Sequence, residues 1–350
     1  MHRAWCTAGN MQRAKMIINP QSAVPNERTK VAVLMGGIGA ERQISIQSGT
    51  CVAEALVAAG YDVVTADVRP DKLDILEDSS IDVFFPALHG EFGEDGRLQQ
   101  ILEDKSLVYA GSGPAASNAA FDKMAAKAAF AKAGVATPAA IRFDCAADAG
   151  RVADQLRGFA RKYVIKPIRQ GSSVGVNIVS EAGEAVETAR RTAGEFGDCM
   201  IEEFVAGREI TVGILCDRAL PIIEIQPQGD FYDYHAKYVD ERTRFLFDTI
   251  AKPALAQRIQ AAALDCFGAL GCRHFARVDF ILTDDETAYA LEVNTIPGFT
   301  SHSLLPKAAA KLGLSMSNLC ARIVEAAISS PARSSKVSAK LQVRNCKIIK

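Results

Sequence analysis

No apolar run in the sequence reaches the ~18 residues that a membrane-crossing helix requires. Neither sign of charge dominates: the formal net charge is −1, so no strong field draws nucleic acid or an anionic membrane. Aromatic residues make up only 7% of the chain and none interleave with a basic run. The composition therefore points away from nucleic-acid and membrane partners. Nine cysteines are present, an odd number, and no two have CxxC spacing. They read as reduced, mostly buried thiols of a cytoplasmic protein rather than a disulfide framework or a zinc site. The P-loop pattern G-x-x-x-x-G-K-[ST] and the dinucleotide fingerprint G-x-G-x-x-G are both missing.

What is present is the profile of a globular enzyme: 350 residues, 49% hydrophobic and 23% charged. At ~100–200 residues per domain, that length predicts two or three domains. Residues 1–29 hold Arg3, Arg13, Lys15 and Arg28 against the single acid Glu27 and lack the apolar core of a signal peptide. They read as a disordered leader. Residues 331–350 read as a disordered basic tail.

Between them, the Val-rich run 31–35 is a buried strand, followed by Gly36-Gly37-Ile38-Gly39 and a helix to about Ala59. Strands at 62–68 and 82–88 complete a β-α-β-α-β pattern, which predicts a parallel sheet with helices on both faces. An alanine-rich helix spans about 118–133. Strands at 163–168 and 176–179 flank the loop 169–175 as an antiparallel hairpin. Further strands fall at 199–205, 209–215, 221–225, 275–282 and 288–293, with a helix over 253–271. The polar stretch 226–248 has no periodicity and is the candidate lid over a site.

Three constellations could carry chemistry. The glycines at 36–39 allow a close backbone approach to a ligand, or simply a tight turn. The loop 169–175 offers backbone N–H groups and two hydroxyls, a phosphate cradle or a flexible turn, with Lys166 on the strand leading into it. Arg277 and Asp279 share one face of a strand, and Glu292 and Asn294 share a face of the next. Three oxygen-bearing side chains would then converge, as Mg²⁺ requires. The competing reading is a salt bridge from Arg277 to Asp279 or Glu292.

Four segments decide among these readings: HGEFGEDG at 89–96, KPIRQGSSVG at 166–175, YDYHAKY at 232–238 and EVNTIPGFTSHS at 292–303. In order and spacing they resemble the signature segments of the D-alanine–D-alanine ligases, over about residues 30–329. That resemblance implies α/β and α+β architecture: an N-terminal parallel-sheet, Rossmann-like domain followed by a two-lobed ATP-grasp fold. The implied divisions are 30–117 for the N-terminal substrate domain, 118–206 for the central lobe and 207–330 for the C-terminal lobe with the metal and substrate site. It implies ATP-dependent joining of two D-alanines through a D-alanyl phosphate, for peptidoglycan precursors.

The same resemblance assigns roles. Lys123, Lys166, Ser173 and Lys237 would contact ATP phosphates, and Glu202, Phe204, Val205, Glu209 and Phe231 would enclose the nucleotide. Asp279, Glu292 and Asn294 would hold two Mg²⁺, with Mn²⁺ as a substitute. Glu41 would bind the first ammonium, with His89 nearby. Arg277 and the Gly298 amide would face the tetrahedral intermediate, and Ser303 and Leu304 would contact the second substrate. Glu41, Ser172 and Tyr238 would form a hydrogen-bonded triad. The Lys237-Tyr238 pair implies an amine rather than D-lactate as the second substrate. A homodimer is also implied. Two residues depart from the family pattern: Gln100 where a small residue is usual, and His274 where glycine is usual. Other ATP-grasp carboxylate–amine ligases, a D-alanine–D-lactate ligase and a nucleotide-binding regulator without catalysis remain as alternatives.

Overall fold

The computed structural model describes residues 29–39, 41–227 and 242–329. The leader 1–28, the tail from Ser330, and the positions Phe231, Lys237 and Tyr238 lie outside the described residues.

Among the described residues there are three sheets. Strands β1 (Lys30–Gly36), β2 (Asp62–Val68) and β3 (Val83–Pro86) make a parallel sheet in the order β2-β1-β3. Helix α1 (Arg42–Ala58) crosses from β1 to β2 on one face. The predicted second crossover helix is absent. A 3-10 turn, Asp74–Glu77, takes its place, because the connection from Val68 to Val83 opens with Arg69-Pro70-Asp71, a turn held by the Arg69–Lys72 pairing. Leu76 of that turn and helix α2 (Arg97–Asp104) cover the opposite face through Leu98 and Leu102.

The predicted single helix over 118–133 is two, α3 (Pro114–Phe121) and α4 (Lys123–Lys132). Asp122 breaks it: its backbone is extended and its carboxylate caps α4 by accepting from Ala125 N–H at 3.0 Å. Strands β4 (Ala140–Arg142), β5 (Tyr163–Pro167), β6 (Asn177–Val179) and β7 (Cys199–Glu203) form an antiparallel sheet ordered β4-β7-β5-β6. Helices α5 (Ala149–Arg157) and α6 (Ala182–Phe196) pack on it.

The third sheet is antiparallel, β10-β9-β8-β11-β12, from β8 (Arg208–Leu215), β9 (Arg218–Gln226), β10 (Arg244–Phe247), β11 (Phe275–Leu282) and β12 (Ala288–Asn294). Strand β10 falls inside the stretch read as structureless; Phe245 and Phe247 pair with Ile225 and Ile223 of β9. Helix α7 (Pro253–Ala269) covers one face together with α3 and α4. Helices α8 (Leu304–Lys311) and α9 (Met316–Ser329) return to the first sheet and pack with α1. The aromatic trio Phe85, Phe275 and Phe299, with ring centroids 5.4–6.1 Å apart, ties that sheet to the start of β11 and to the chain after Gly298.

The two departures from the family pattern differ in weight. Gln100 is exposed and bonds Asp104 one turn on, so it disturbs nothing. His274 has φ +65°, a left-handed backbone that favours glycine. Its ring is buried, and Nδ1 accepts the Gly111 N–H at 3.1 Å. Burial holds the imidazole down to a pKa of about 4. A base whose folded pKa lies below its unfolded value costs stability as pH falls through the unfolded value of 6.5 towards 4. On the order of 3 kcal/mol should be lost across that window from this group. In His274→Asn, which tolerates the left-handed backbone and does not titrate, that component should vanish. Urea unfolding at pH 7, 5.5 and 4 checks it; identical acid slopes in both proteins would contradict it.

Candidate active site

Two cavities meet between the sheets. The larger, of about 640 Å³, is a cleft between the four-stranded and five-stranded sheets. Apolar side chains of Val164, Ile178, Ile281 and Leu291 line its walls, and Lys166, Glu202, Glu209, Asp279 and Glu292 its polar edge. Lys123, Ser173, Phe204 and Val205 also line it, so every described residue assigned to ATP faces this one space. The smaller cavity, of about 240 Å³, is bounded by Glu41, His89, Ser172, Arg277, Asn294, Gly298, Ser303 and Leu304. Lys123, Gln170 and Glu292 line both and mark the junction.

Local sequence explains each placement. Gly36 turns the chain at φ +93°, and a Cβ there would lie 2.1 Å from Asp67 Oδ1. Asp67 is gripped by both Arg42 nitrogens at 2.8 and 2.6 Å. The first glycines thus make a tight turn around an ion pair, and the turn delivers Glu41 at its far end. Glu41 is enclosed by glycine: a Cβ on Gly90 would come within 2.3 Å of Oε2, and one on Gly171 within 3.3 Å. Ser172 Oγ donates to Glu41 Oε1, joining the phosphate-type loop to the N-terminal sheet. Ser172 and Ser173 both have positive φ, 53° and 59°, a strained pair of the sort found where a loop wraps a ligand.

His89 is buried with Nε2 2.9 Å from Ser48 Oγ and Nδ1 3.7 Å from Glu94 Oε1. Ser48 Oγ also accepts from Phe299 N–H at 3.3 Å, which anchors the Gly298 turn to α1. Ser303 Oγ accepts the Thr300 N–H at 3.0 Å, and a Cβ on Gly298 would meet Ser303 Oγ at 2.5 Å. A side chain at Gly298 would therefore push Ser303 Oγ off its bond to Thr300.

On the neighbouring strands β11 and β12, Asp279 pairs opposite Glu292 and Arg277 opposite Asn294. The salt bridge weighed against a metal site exists: Arg277 donates to both oxygens of Asp279 at 2.8 and 2.7 Å, and Thr211 adds a bond at 2.6 Å. A metal there would share Asp279 with Arg277 or displace one of these bonds, since Oδ1 already accepts two of them. Among the described residues no three His, Cys, Asp or Glu side chains gather as a metal cage. Two carboxylates and an amide oxygen beside an open cleft suit Mg²⁺, which draws its remaining ligands from phosphates and water.

Lys123 Nζ donates to Gln170 O at 2.5 Å and lies 3.5 Å from Glu292. Lys166 pairs with Glu202 Oε2 at 2.5 Å. Sequence reasoning missed Lys127, whose ammonium lies 2.7 Å from the other oxygen of Glu202. Its signal was the i,i+4 spacing from Lys123, which puts both on one helix face. Thr211 and Ser48 were also missed; isolated hydroxyls carry no pattern.

Comparison with known proteins agrees with this geometry. The families described as "D-ala D-ala ligase C-terminus" and "D-ala D-ala ligase N-terminus" match residues 150–325 and 72–112. The D-alanine–D-alanine ligase of Syntrophotalea carbinolica is 40% identical over 86% of this chain and 97% of its own. That of Anaeromyxobacter sp. strain K is 42% identical over 85% and 96%. The crystal structure of the Bacillus anthracis D-alanine–D-alanine ligase complexed with ATP superposes with a TM-score of 0.75 at 35% identity, covering 86% of this chain and 97% of that one.

Proposed function

The chain belongs to the D-alanine–D-alanine ligase family, and from that premise we propose how its two cavities divide the work. It is an ATP-dependent ligase that joins two D-alanines, with release of ADP and phosphate, in the synthesis of peptidoglycan precursors. The larger cleft takes the nucleotide and the smaller cavity takes both amino acids. The observation that carries this division is the junction: one cation, Lys123, and one carboxylate, Glu292, line both spaces. That is where a γ-phosphoryl group and an attacking carboxylate have to meet.

A carboxylate and a polyphosphate repel each other, so positive charge is needed between them. Lys123 and Lys166 supply it from the cleft, and Arg277 from the cavity. Lys237, outside the described residues, is assigned the same task. Mg²⁺ held by Asp279, Glu292 and Asn294, as two ions, would neutralise the phosphate oxygens. The carboxylate oxygen of the first D-alanine attacks the γ-phosphorus, and the bond to ADP breaks. The amine of the second D-alanine, having lost a proton, then attacks the acyl carbon, and phosphate departs with the original carboxylate oxygen. Glu41 receives the first ammonium, and its bond to Ser172 keeps the phosphate loop closed over it. Arg277 and the Gly298 amide face the oxygen that becomes negative. Ser303 and Leu304 hold the second substrate. Closure excludes water, which would hydrolyse the acyl phosphate.

The domain divisions at 117 and 206, a homodimer and a cytoplasmic setting belong to the same proposal. Among the described residues no helix is long and apolar enough to cross a membrane. ADP release with D-alanine, with L-alanine or with neither tests the reading. D-alanine alone should stimulate it. Equal rates in all three, or stimulation by the L isomer, would contradict it.

A further inference from the structure

The ammonium of Lys127 on α4 is nearly inaccessible and does not line the nucleotide cleft. Two of its protons go to acceptors at 2.7 Å, Thr137 Oγ1 and Pro138 O, and Glu202 Oε1 lies 2.7 Å away as its ion-pair partner. Thr137 Oγ1 donates onward to Ala290 O of β12 at 2.8 Å, two residues before Glu292. Glu202, the buried carboxylate at the edge of the cleft, is thus shared between two lysines, one oxygen to each. With both lysines charged this trio carries a net +1. Without the Lys127 charge it is neutral, and Lys166 is fully compensated by Glu202.

We propose that Lys127 is a positioning residue of the nucleotide site: by holding one oxygen of Glu202 from behind, it fixes that carboxylate and leaves Lys166 with uncompensated charge for the polyphosphate. The inference rests on the reading that the 640 Å³ cleft takes ATP. Lys127 touches neither nucleotide nor reacting atoms, so its effect falls on affinity and not on the chemical step.

A consequence in pH follows. Burial first, and the neighbouring Lys166 charge, pull Lys127 down to about 8, against the raising effect of Glu202 and Glu203. These are the charged groups facing it from β5 and β7; Thr137, Pro138 and β12 contribute neutral oxygens. Between pH 7 and 9 the trio therefore loses its net charge. A base with a folded pKa below its unfolded value makes the fold more stable as pH rises through that window, so weaker nucleotide binding there does not come from unfolding at this group.

The test is equilibrium titration of the full chain with ATP and Mg²⁺, without D-alanine, at pH 7, 8 and 9, with KM for ATP and kcat measured in parallel. In the wild-type protein Kd should rise about tenfold across the window, with a midpoint near 8, as one nearby positive charge is lost. Lys127→Gln keeps amide donors for Thr137 and Pro138 but carries no charge. Its Kd should already be raised about tenfold at pH 7 and stay flat, with kcat at saturating ATP within about twofold of wild type. Lys127→Arg should keep the low Kd throughout. A wild-type Kd that is flat from pH 7 to 9, or a Lys127→Gln Kd equal to wild type, overturns the proposal, and the wild-type arm reads it even if a variant fails to fold. A wild-type protein that binds no ATP at any pH would instead overturn the assignment of the cleft.

Discussion

Glu292→Gln should cut D-alanine-dependent ADP release on the order of 10³-fold, the scale for loss of a charge that stabilises a transition state. The thermal midpoint should move by only about 2 °C, because the ion pair to Lys123 spans 3.5 Å and the Glu292 side chain is 29% exposed. Glu292 lines both cavities and stands opposite Asp279. On the proposed reading its charge serves the reaction and contributes little to folding. Retained turnover with a large loss of stability would show that the strand pair serves the fold instead.

Arg277→Met should fail in both respects. Its guanidinium makes the two-pronged bond to Asp279, a carboxylate only 8% exposed. Removing one partner of a buried pair costs about 3–5 kcal/mol, and Thr211 alone cannot replace a full positive charge. Turnover should fall at least about 100-fold, since the same guanidinium faces the smaller cavity. Denaturant unfolding and ADP release on one preparation give both numbers. A variant as stable as wild type would mean that the ion pair is dispensable. Together the two variants separate what the polar groups on β11 and β12 do for the fold from what they do for chemistry.

Much of this site was legible in the sequence. Strands 62–68 and 275–282 appear at the bounds read from their Val- and Phe-rich runs. Alternation alone placed Arg277 with Asp279 and Glu292 with Asn294, and the register of β11 on β12 brings the pairs opposite each other. The break at Asp122 was hidden because alanines on both sides favour helix equally. The capping bond that ends one helix and starts another shows only in the backbone. Strand β10 was hidden by its polar surroundings; four residues pairing with β9 are too few to set a period. Lys127 was overlooked because a lysine in an alanine-rich helix reads as solvated, whereas Glu202 arrives from 75 positions further along to bury it. In the same way His274 was visible as an unusual residue, but the left-handed backbone that makes it costly was not.

The central claim is that this chain activates the carboxylate of one D-alanine by phosphorylation and then joins it to a second. D-alanine labelled with ¹⁸O in both carboxylate positions follows that bond directly. If an acyl phosphate forms, each phosphate released during dipeptide synthesis carries one ¹⁸O from the carboxylate, visible as an isotope-shifted ³¹P resonance. Unlabelled phosphate accompanying labelled dipeptide would contradict the account.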